Sequence, residues 1–229
     1  SIEDKNEVVT VDKIIDETDV NDATEKENDA QIGDEIHFET TINIPANSES
    51  VVLHDKMDAG FTFSGTVTVT GGNITAGDYT FDADPTDDDC DFEISFTKAY
   101  LDGLTADVEI TVAYSAVLNK DAEVVDQGTV NNETWVTYGA NQETEVITTT
   151  TKTTYFNLFK YQGNDVALPG AEFELYRGSV ADANKVKFVM DAQGNYRVAD
   201  DVEIDDTEVT KVEKIVSTEN TIKIYGLDI

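Results

Sequence analysis

Three polar residues lie at positions where strand alternation places side chains in the protein interior. Each falls in step with the apolar residues of its own segment: Lys13 in residues 9–15, Asp55 in residues 51–55 and Asn132 in residues 130–138. Because successive side chains of a strand point to opposite faces, all three are expected to point inward. The sequence therefore predicts a buried amine, a buried carboxylic acid and a buried carboxamide.

Burial changes the chemistry of these groups. A desolvated lysine usually responds with a lower pKa, and the neutral amine is a nucleophile. A desolvated carboxylic acid keeps its proton and can donate it. Attack of the amine on the carboxamide would release ammonia and leave a Lys–Asn isopeptide cross-link, with apolar surroundings excluding water. On the pattern alone, a buried Lys13–Asp55 ion pair or a register shifted by one residue explains the same positions.

The elements that must position these residues are strands. Alternating runs cover residues 35–44, 61–63, 67–69, 92–96 and 108–116, with Ser64-Gly65 separating the second run from the third. Gly, Asn and Asp cluster between the runs, as turns require. Roughly seven to nine short strands with frequent turns predict an antiparallel β-sandwich.

A Thr-rich stretch, Thr148–Thr154, has few apolar anchors, and the charge balance changes after it. We place a domain boundary there, with one domain over residues 1–150 and a second over residues 151–229. The second domain also has strand patterns, at residues 155–161, 171–176, 186–190, 196–198 and 221–224. The sequence thus predicts an all-β chain of two tandem domains.

The chain is strongly acidic, with a formal net charge of −33 over 229 residues. Most of this charge lies in residues 1–150, where 6 Lys and Arg face 34 Asp and Glu, a difference of −28. Such a surface repels nucleic acid and anionic lipid, so neither is expected as a partner. No apolar run approaches the roughly 18 residues that span a membrane. Cys90 is the single cysteine, so no intramolecular disulfide is expected.

No cofactor, metal site or enzyme with turnover is expected. Residues 82–91 contain six carboxylates, but EF-hand spacing is absent, and a solvated acidic loop is favoured over a Ca²⁺ site. His37 and His54 have no His or Cys partner at ligand spacing and are expected on strand surfaces. The chain also lacks a Ser-His-Asp order and a phosphate-binding glycine loop.

Residues 1–150 resemble the isopeptide-forming domain, of the CnaA or D2 type, of sortase-assembled backbone pilins of Gram-positive bacteria. The resemblance rests on an ordered set of stretches: residues 11–15 (Val-Asp-Lys-Ile-Ile), 32–38 leading to Ile44-Pro45, 53–61, 110–116 and 132–139. It implies an immunoglobulin-like β-sandwich.

The resemblance also implies roles for the inward trio. In that family, the lysine of an early strand bonds to the asparagine that opens the last strand, and an inward Asp or Glu promotes the reaction. Carried to this sequence, Lys13 is the amine donor, Asn132 the acceptor and Asp55 the proton-shuttling acid. Asn131 is a rival acceptor and Glu109 a rival acid, and both point outward by alternation.

Residues 151–229 resemble the CnaB-type domain that commonly follows. The resemblance lies in Phe156–Lys160 and in the stretch Leu168–Tyr176. Lys160 occupies the position of that family's reactive lysine. The family's acid and acceptor would both come after Ile229, so we expect this second sandwich to be incomplete and Lys160 to be unlinked.

The resemblance implies a structural shaft subunit of a covalently assembled pilus, extracellular and attached to the cell wall. Its partners would be other pilin subunits joined by sortase, and its only chemistry a single autocatalytic cross-linking step. The alternative is a cell-wall-anchored adhesin domain that grips a host protein or glycan through loops such as residues 76–91. Few aromatic residues cluster in those loops, which favours the shaft subunit.

Overall fold

A computed structural model describes residues 8–16, 25–86, 89–122 and 128–228 of the chain. The all-β prediction is confirmed. The strands are β1 (Thr10–Ile15), β2 (Glu27–Asp29), β3 (Glu35–Ile44), β4 (Val51–Met57), β5 (Phe61–Gly71), β6 (Tyr79–Asp82), β7 (Phe92–Phe96), β8 (Val108–Leu118), β9 (Gly128–Tyr138), β10 (Gln142–Glu143), β11 (Ile147–Leu158), β12 (Tyr161–Gln162), β13 (Val166–Ala167), β14 (Glu172–Phe173), β15 (Phe188–Met190), β16 (Tyr196–Val198), β17 (Ile215–Val216) and β18 (Ile222–Leu227). Within these ranges, the helical residues are those of α1 (Lys98–Asp102), α2 (Asp201–Asp205) and a 3₁₀ turn at Asp182–Asn184.

The chain divides into two compact units. Unit 1 comprises Ser1–Asn28, Glu35–Ala116 and Val130–Thr150, and unit 2 comprises Asp29–Asp34, Val117–Thr129 and Thr151–Ile229, as far as their residues are described. Two short segments from the first 150 residues therefore belong to unit 2. The predicted domains, 1–150 and 151–229, do not assign these two segments to the second domain, and the predicted boundaries stay a prediction.

Unit 1 is a sandwich of two sheets. One sheet has the strand order β1-β3-β8-β5, and the facing sheet has the order β6-β7-β4-β9 followed by the start of β11, with β2 and β10 at its margins. Alternation sets the inner faces: in β3 every second residue from Ile36 to Ile44 is buried, and the same holds in β8 from Ile110 to Leu118. The two inner faces together form the core of the unit.

Strand β5 differs from its predicted form. Ser64-Gly65 was expected to separate two strands, but one strand runs from Phe61 to Gly71. Gly65 adopts a φ of 79°, a left-handed conformation that glycine reaches without a steric penalty. The chain therefore passes through this point without ending the strand.

The Thr-rich stretch is also more ordered than its composition suggests. Residues 148–154 lie inside β11, and the side chains of Thr149, Thr151 and Thr153 are buried. Threonine is β-branched and suits a pleated strand, so a stretch with few apolar anchors still forms regular sheet.

Unit 2 is built on a sheet with the order β15-β16-β18 and the later part of β11. Strands β16 and β18 are parallel, whereas the pairs β15–β16 and β11–β18 are antiparallel. Two short antiparallel pairs, β12–β13 and β14–β17, complete the unit. Helix α2 begins at a capping box in which Asp200 and Glu203 satisfy each other's backbone N–H groups.

Candidate functional site

The three predicted site residues meet between the two sheets of unit 1. Lys13 extends from β1 in one sheet, and Asp55 and Asn132 extend from β4 and β9 in the facing sheet. All three side chains are 0% exposed. Tyr114 of β8, which is 6% exposed, lies with them. The strand pattern thus identified inward positions that the fold brings to one point.

The register of the strands explains this meeting. On one sheet Lys13 pairs with Thr40 of β3. On the other, Asp55 pairs with Thr134 and Met57 pairs with Asn132, so Asp55 and Asn132 are diagonal neighbours on adjacent strands. Diagonal neighbours on one face are close enough for polar side chains to share a third group.

A closed ring of hydrogen bonds joins the four side chains. Lys13 Nζ donates to Asp55 Oδ2 at 2.8 Å and also to Asn132 Oδ1. The Tyr114 hydroxyl donates to the same Asp55 Oδ2 at 2.7 Å. Asn132 Nδ2 in turn donates to the Tyr114 hydroxyl oxygen at 3.1 Å. Each reacting group is therefore held by two partners.

Aromatic side chains surround the four hydrogen-bonded residues. Lys13 Nζ lies 5.4 Å from the centroid of the Phe38 ring and 5.3 Å from that of Tyr114. Phe38 and Tyr114 stack with centroids 5.4 Å apart, and Phe92 meets Tyr114 edge-on at 4.9 Å. These rings leave the polar groups in a site of low dielectric without bulk water, where charge is costly and polar contacts are strong.

Burial moves the pKa values of Lys13 and Asp55 toward each other. It lowers the pKa of Lys13 from 10.5 to about 8, although the adjacent Asp55 carboxylate opposes the shift. It raises the pKa of Asp55, against the opposing influence of Lys13 and of the Tyr114 hydroxyl. The pKa of Tyr114 lies well above its usual value, first because of burial and then because of Asp55. Proton transfer from Lys13 to Asp55 therefore costs less free energy in this site than it does in water.

The two oxygens of the Asp55 carboxyl group differ in their hydrogen bonding. Its Oδ2 accepts from Lys13 and Tyr114, whereas Oδ1 is buried and has no hydrogen-bond partner among the described residues. A buried carboxylate oxygen without a donor is unfavourable, so the neutral, protonated acid is favoured further. The arrangement suits a neutral amine beside a carboxylic acid and a carboxamide.

The rival residues lie away from this ring. Asn131 is half-buried on the opposite face of β9, where its Oδ1 accepts from Thr150 Oγ1 at 2.9 Å. Glu109 is exposed on β8. Neither contacts Lys13, so alternation separated the inward residues from their neighbours correctly.

Two features of unit 1 were missed by reasoning from the sequence. Tyr114 had been placed only in an inward row of β8, and nothing in its spacing indicates that its hydroxyl reaches the facing sheet. His54, expected at a strand surface, is 8% exposed because its ring stacks on Trp135, with centroids 5.2 Å apart. Its Nε2 lies 2.9 Å from Thr137 Oγ1 and its Nδ1 lies 2.7 Å from Glu93 Oε1.

Lys160 lies in a different setting from Lys13. Strand β11 ends at Leu158, so Lys160 follows the strand and is only half-buried, and Phe156 on the same parity is 40% exposed. Its backbone carbonyl accepts from Leu168 N at 2.8 Å. In the described part of the chain, no hydrogen bond or ion pair holds its amine.

The acidic loop lies partly outside the described residues, since Asp87 and Asp88 are not among them. Among the described residues, no group of three or more His, Cys, Asp or Glu side chains is arranged to hold a metal ion. None of the helices in these ranges is both long and apolar enough to cross a membrane.

The fold matches those of major pilins from Gram-positive bacteria. The 35 kDa C-terminal fragment of the major pilin GBS80 of Streptococcus agalactiae aligns with a TM-score of 0.61 and 20% identity, over 96% of this chain and 80% of that one. Domains D2 and D3 of the major pilin SpaD from Corynebacterium diphtheriae align with a TM-score of 0.55 and 18% identity, over 96% and 75%. The major pilin subunit BcpA of Bacillus cereus aligns with a TM-score of 0.56 and 14% identity, over 96% and 56%.

The chain therefore spans about half of the Bacillus cereus pilin. No protein-family model and no curated protein matches the chain. At these identities the likeness establishes the fold, and the expected resemblance to major pilins is confirmed at that level. The assignment of the two domains to the CnaA and CnaB types stays a prediction.

Proposed function

We propose that this chain is part of the shaft subunit of an extracellular, cell-wall-attached pilus, stabilised by an isopeptide bond between Lys13 and Asn132. The observation that carries the proposal is the contact of a buried amine with a buried carboxamide beside a carboxyl group whose pKa is raised. The pilin fold adds support for the shaft role and for polymerisation with other pilin subunits.

The reaction begins when Asp55 takes a proton from Lys13, leaving a neutral amine and a carboxylic acid. The Nζ lone pair attacks Cγ of Asn132, a carbon–nitrogen bond forms, and the carbonyl electrons move to Oδ1. Collapse of this tetrahedral species breaks the Cγ–Nδ2 bond and releases ammonia. In net terms, Nζ loses two protons. One ends on Nδ2 and leaves with the ammonia, and the other ends on Asp55, which finishes as a neutral acid.

The alternative interpretation, an inert ion pair between Lys13 and Asp55, accounts for the geometry less completely. A buried ion pair stabilises the fold only when its remaining hydrogen-bonding capacity is satisfied. Here Asp55 Oδ1 has no described partner, and the amine is also directed at a carboxamide, which offers no countercharge. The first feature favours a protonated Asp55, and the second places the amine beside the group that it would attack.

Such a bond suits a protein that carries tension. Among the described strands, β1 is at the edge of its sheet and has β3 as its one neighbour, so it is poorly held against peeling. A covalent bond from Lys13 to Asn132 ties this edge to β9, which lies between β4 and β11 in the facing sheet. Resistance to forced unfolding depends on the unfolding rate, and a chain tied at these points cannot extend between them.

The proposal is tested by the intact mass of the folded chain. We expect a mass lower than that of the sequence by one ammonia, and tandem mass spectrometry should find the branched peptide joining Lys13 to Asn132. Lys13→Met keeps an unbranched side chain of similar length in the core and should show the full mass. Folded native chain with an unmodified mass would contradict the proposal.

A further inference from the structure

The proton balance of the proposed reaction leaves one transfer without a direct route. Ammonia can leave only after Nδ2 of Asn132 gains a proton, and Asp55 is the acid of the site. Yet no hydrogen bond joins Asp55 directly to Asn132 among the described residues. A third group must bring the proton from the carboxyl group to the leaving nitrogen.

The Tyr114 hydroxyl is placed between these two groups. It lies 2.7 Å from Asp55 Oδ2 and 3.1 Å from Asn132 Nδ2. Its ring is fixed by Phe38 on one face and Phe92 at its edge, which holds the hydroxyl in position. Both distances are within the range in which protons transfer along hydrogen bonds.

We infer that Tyr114 is a catalytic residue that relays the proton from Asp55 to the leaving nitrogen of Asn132. This inference rests on the proposed isopeptide reaction and adds a fourth residue to it. In the relay, the hydroxyl gives its proton to Nδ2 and receives that of Asp55, while Asp55 recovers a proton from Nζ. The tyrosine is unchanged at the end, and the lost ammonia contains the two amide hydrogens and the relayed one.

The direction of each hydrogen bond fits the course of the reaction. An amide nitrogen is a donor without a free lone pair, which is why Nδ2 donates to the hydroxyl before the attack. Once Cγ becomes tetrahedral, Nδ2 is an amine with a lone pair and can accept. The hydroxyl then needs only to rotate about its C–O bond to donate to Nδ2 and accept from Asp55.

The same contact orients the amide before the reaction. Because the hydroxyl oxygen takes an N–H of Nδ2, the carbonyl oxygen of Asn132 points to Lys13. The two contacts therefore fix which end of the amide meets Lys13 and which end, the leaving nitrogen, meets Tyr114. Removing the hydroxyl would disturb both orientation and proton transfer, and the experiment must separate the two effects.

Tyr114→Phe removes the hydroxyl and keeps the ring contacts. The native chain and the variant are isolated unfolded in denaturant, refolded by dilution, and sampled by intact mass once Trp135 fluorescence shows that folding is complete. We expect ammonia loss in the variant to be slower by a factor on the order of 100, within the usual range for general acid–base catalysis. Tyr100→Phe is the matched control, because its hydroxyl donates to Gly72 O at 2.9 Å elsewhere in unit 1, and it should react at the native rate.

A second measurement on the native chain separates the relay from mere orientation and does not depend on the folding of any variant. The rate of ammonia loss is followed in mixtures of H₂O and D₂O. A relay moves several protons in one step and gives a curved dependence on the deuterium fraction, whereas a single transfer gives a linear one. A linear dependence, or a Tyr114→Phe rate equal to the native rate, would overturn the relay while the isopeptide bond stands. Native chain that loses no ammonia would instead overturn the proposed function.

Discussion

Single-molecule extension of the native chain and of Asn132→Leu examines the covalent tie most directly. Leucine has nearly the shape of asparagine but no carbonyl group that an amine can attack. The Lys13–Asp55 pair at 2.8 Å remains in the variant, and two hydrogen bonds, those from Lys13 and to Tyr114, are lost. The fold should survive because the substitution nearly keeps the shape of a fully buried side chain.

The size of the effect follows from the positions of the two residues. Lys13 and Asn132 are 119 residues apart in the chain and in hydrogen-bond contact in the fold. A freed loop of this length would extend by about 400 Å at the usual rise per residue of an extended chain. In the native chain the proposed bond would prevent this loop from extending, so we expect unit 1 to lack this step.

Each chain is pulled between its termini, and the contour length gained on unfolding is recorded. Thr134→Val is the matched control: Thr134 is equally buried on the same strand and loses one hydrogen bond, to His54 O at 2.8 Å, but the reacting groups stay intact. We expect the control to extend like the native chain and Asn132→Leu to gain about 400 Å. A native chain that releases the same length as Asn132→Leu would refute the covalent tie.

Four further outcomes are expected. In guanidinium unfolding followed by the chain's single tryptophan, Asn132→Leu should lose about 5 kcal/mol of stability relative to the native chain, the chain-entropy value for a loop of this length. Asp55→Asn should fold and keep its full mass for far longer, because the neutral amide cannot take the proton of Lys13; a native rate of ammonia loss would contradict its role. Burial lowers the pKa of unlinked Lys13 from 10.5 to about 8 in the folded chain, and Asn132→Leu keeps Lys13 unlinked and buried. The unfolded state therefore binds more protons between these values, and stability measured by urea unfolding should rise by about 3 kcal/mol from pH 8 to 10.5. The proposed amide has no such titration, so we expect no such rise in the native chain. Lys160→Ala should show the same loss of one ammonia as the native chain, and a smaller loss would mean that Lys160 is linked.

The inward positions of the site could be predicted because the side-chain period of a strand is two. Lys13, Asp55 and Asn132 each lie in a run with enough apolar residues to define the buried face. The same rule placed Asn131 and Glu109 outside. Family resemblance then assigned roles to residues that alternation had only placed inside.

The contacts between the sheets could not be predicted in this way. Alternation states which face a residue occupies but not which residue of the facing sheet it meets, so the partner of Tyr114 was invisible. His54 was misplaced because its outer face is covered by Trp135 across the strand pair, a contact set by register. Ser64-Gly65 was predicted to be a turn because the sequence alone does not distinguish a glycine in a turn from a glycine inside a continuous strand.

The proposed reaction would couple cross-linking to folding, because the folded site is costly while it is unlinked. Folding must first remove an ammonium and a carboxylate from water, and each such transfer costs several kcal/mol that the ion pair recovers only in part. The proposed product would replace both charges with a neutral amide and a neutral acid, so the reaction would remove the free-energy penalty that folding creates. The unfolded chain has no such free-energy penalty to relieve, because water solvates Lys13 and Asp55 and keeps the amine protonated. The bond should therefore form only after β1, β4, β8 and β9 have assembled, and it then fixes the arrangement that made it possible.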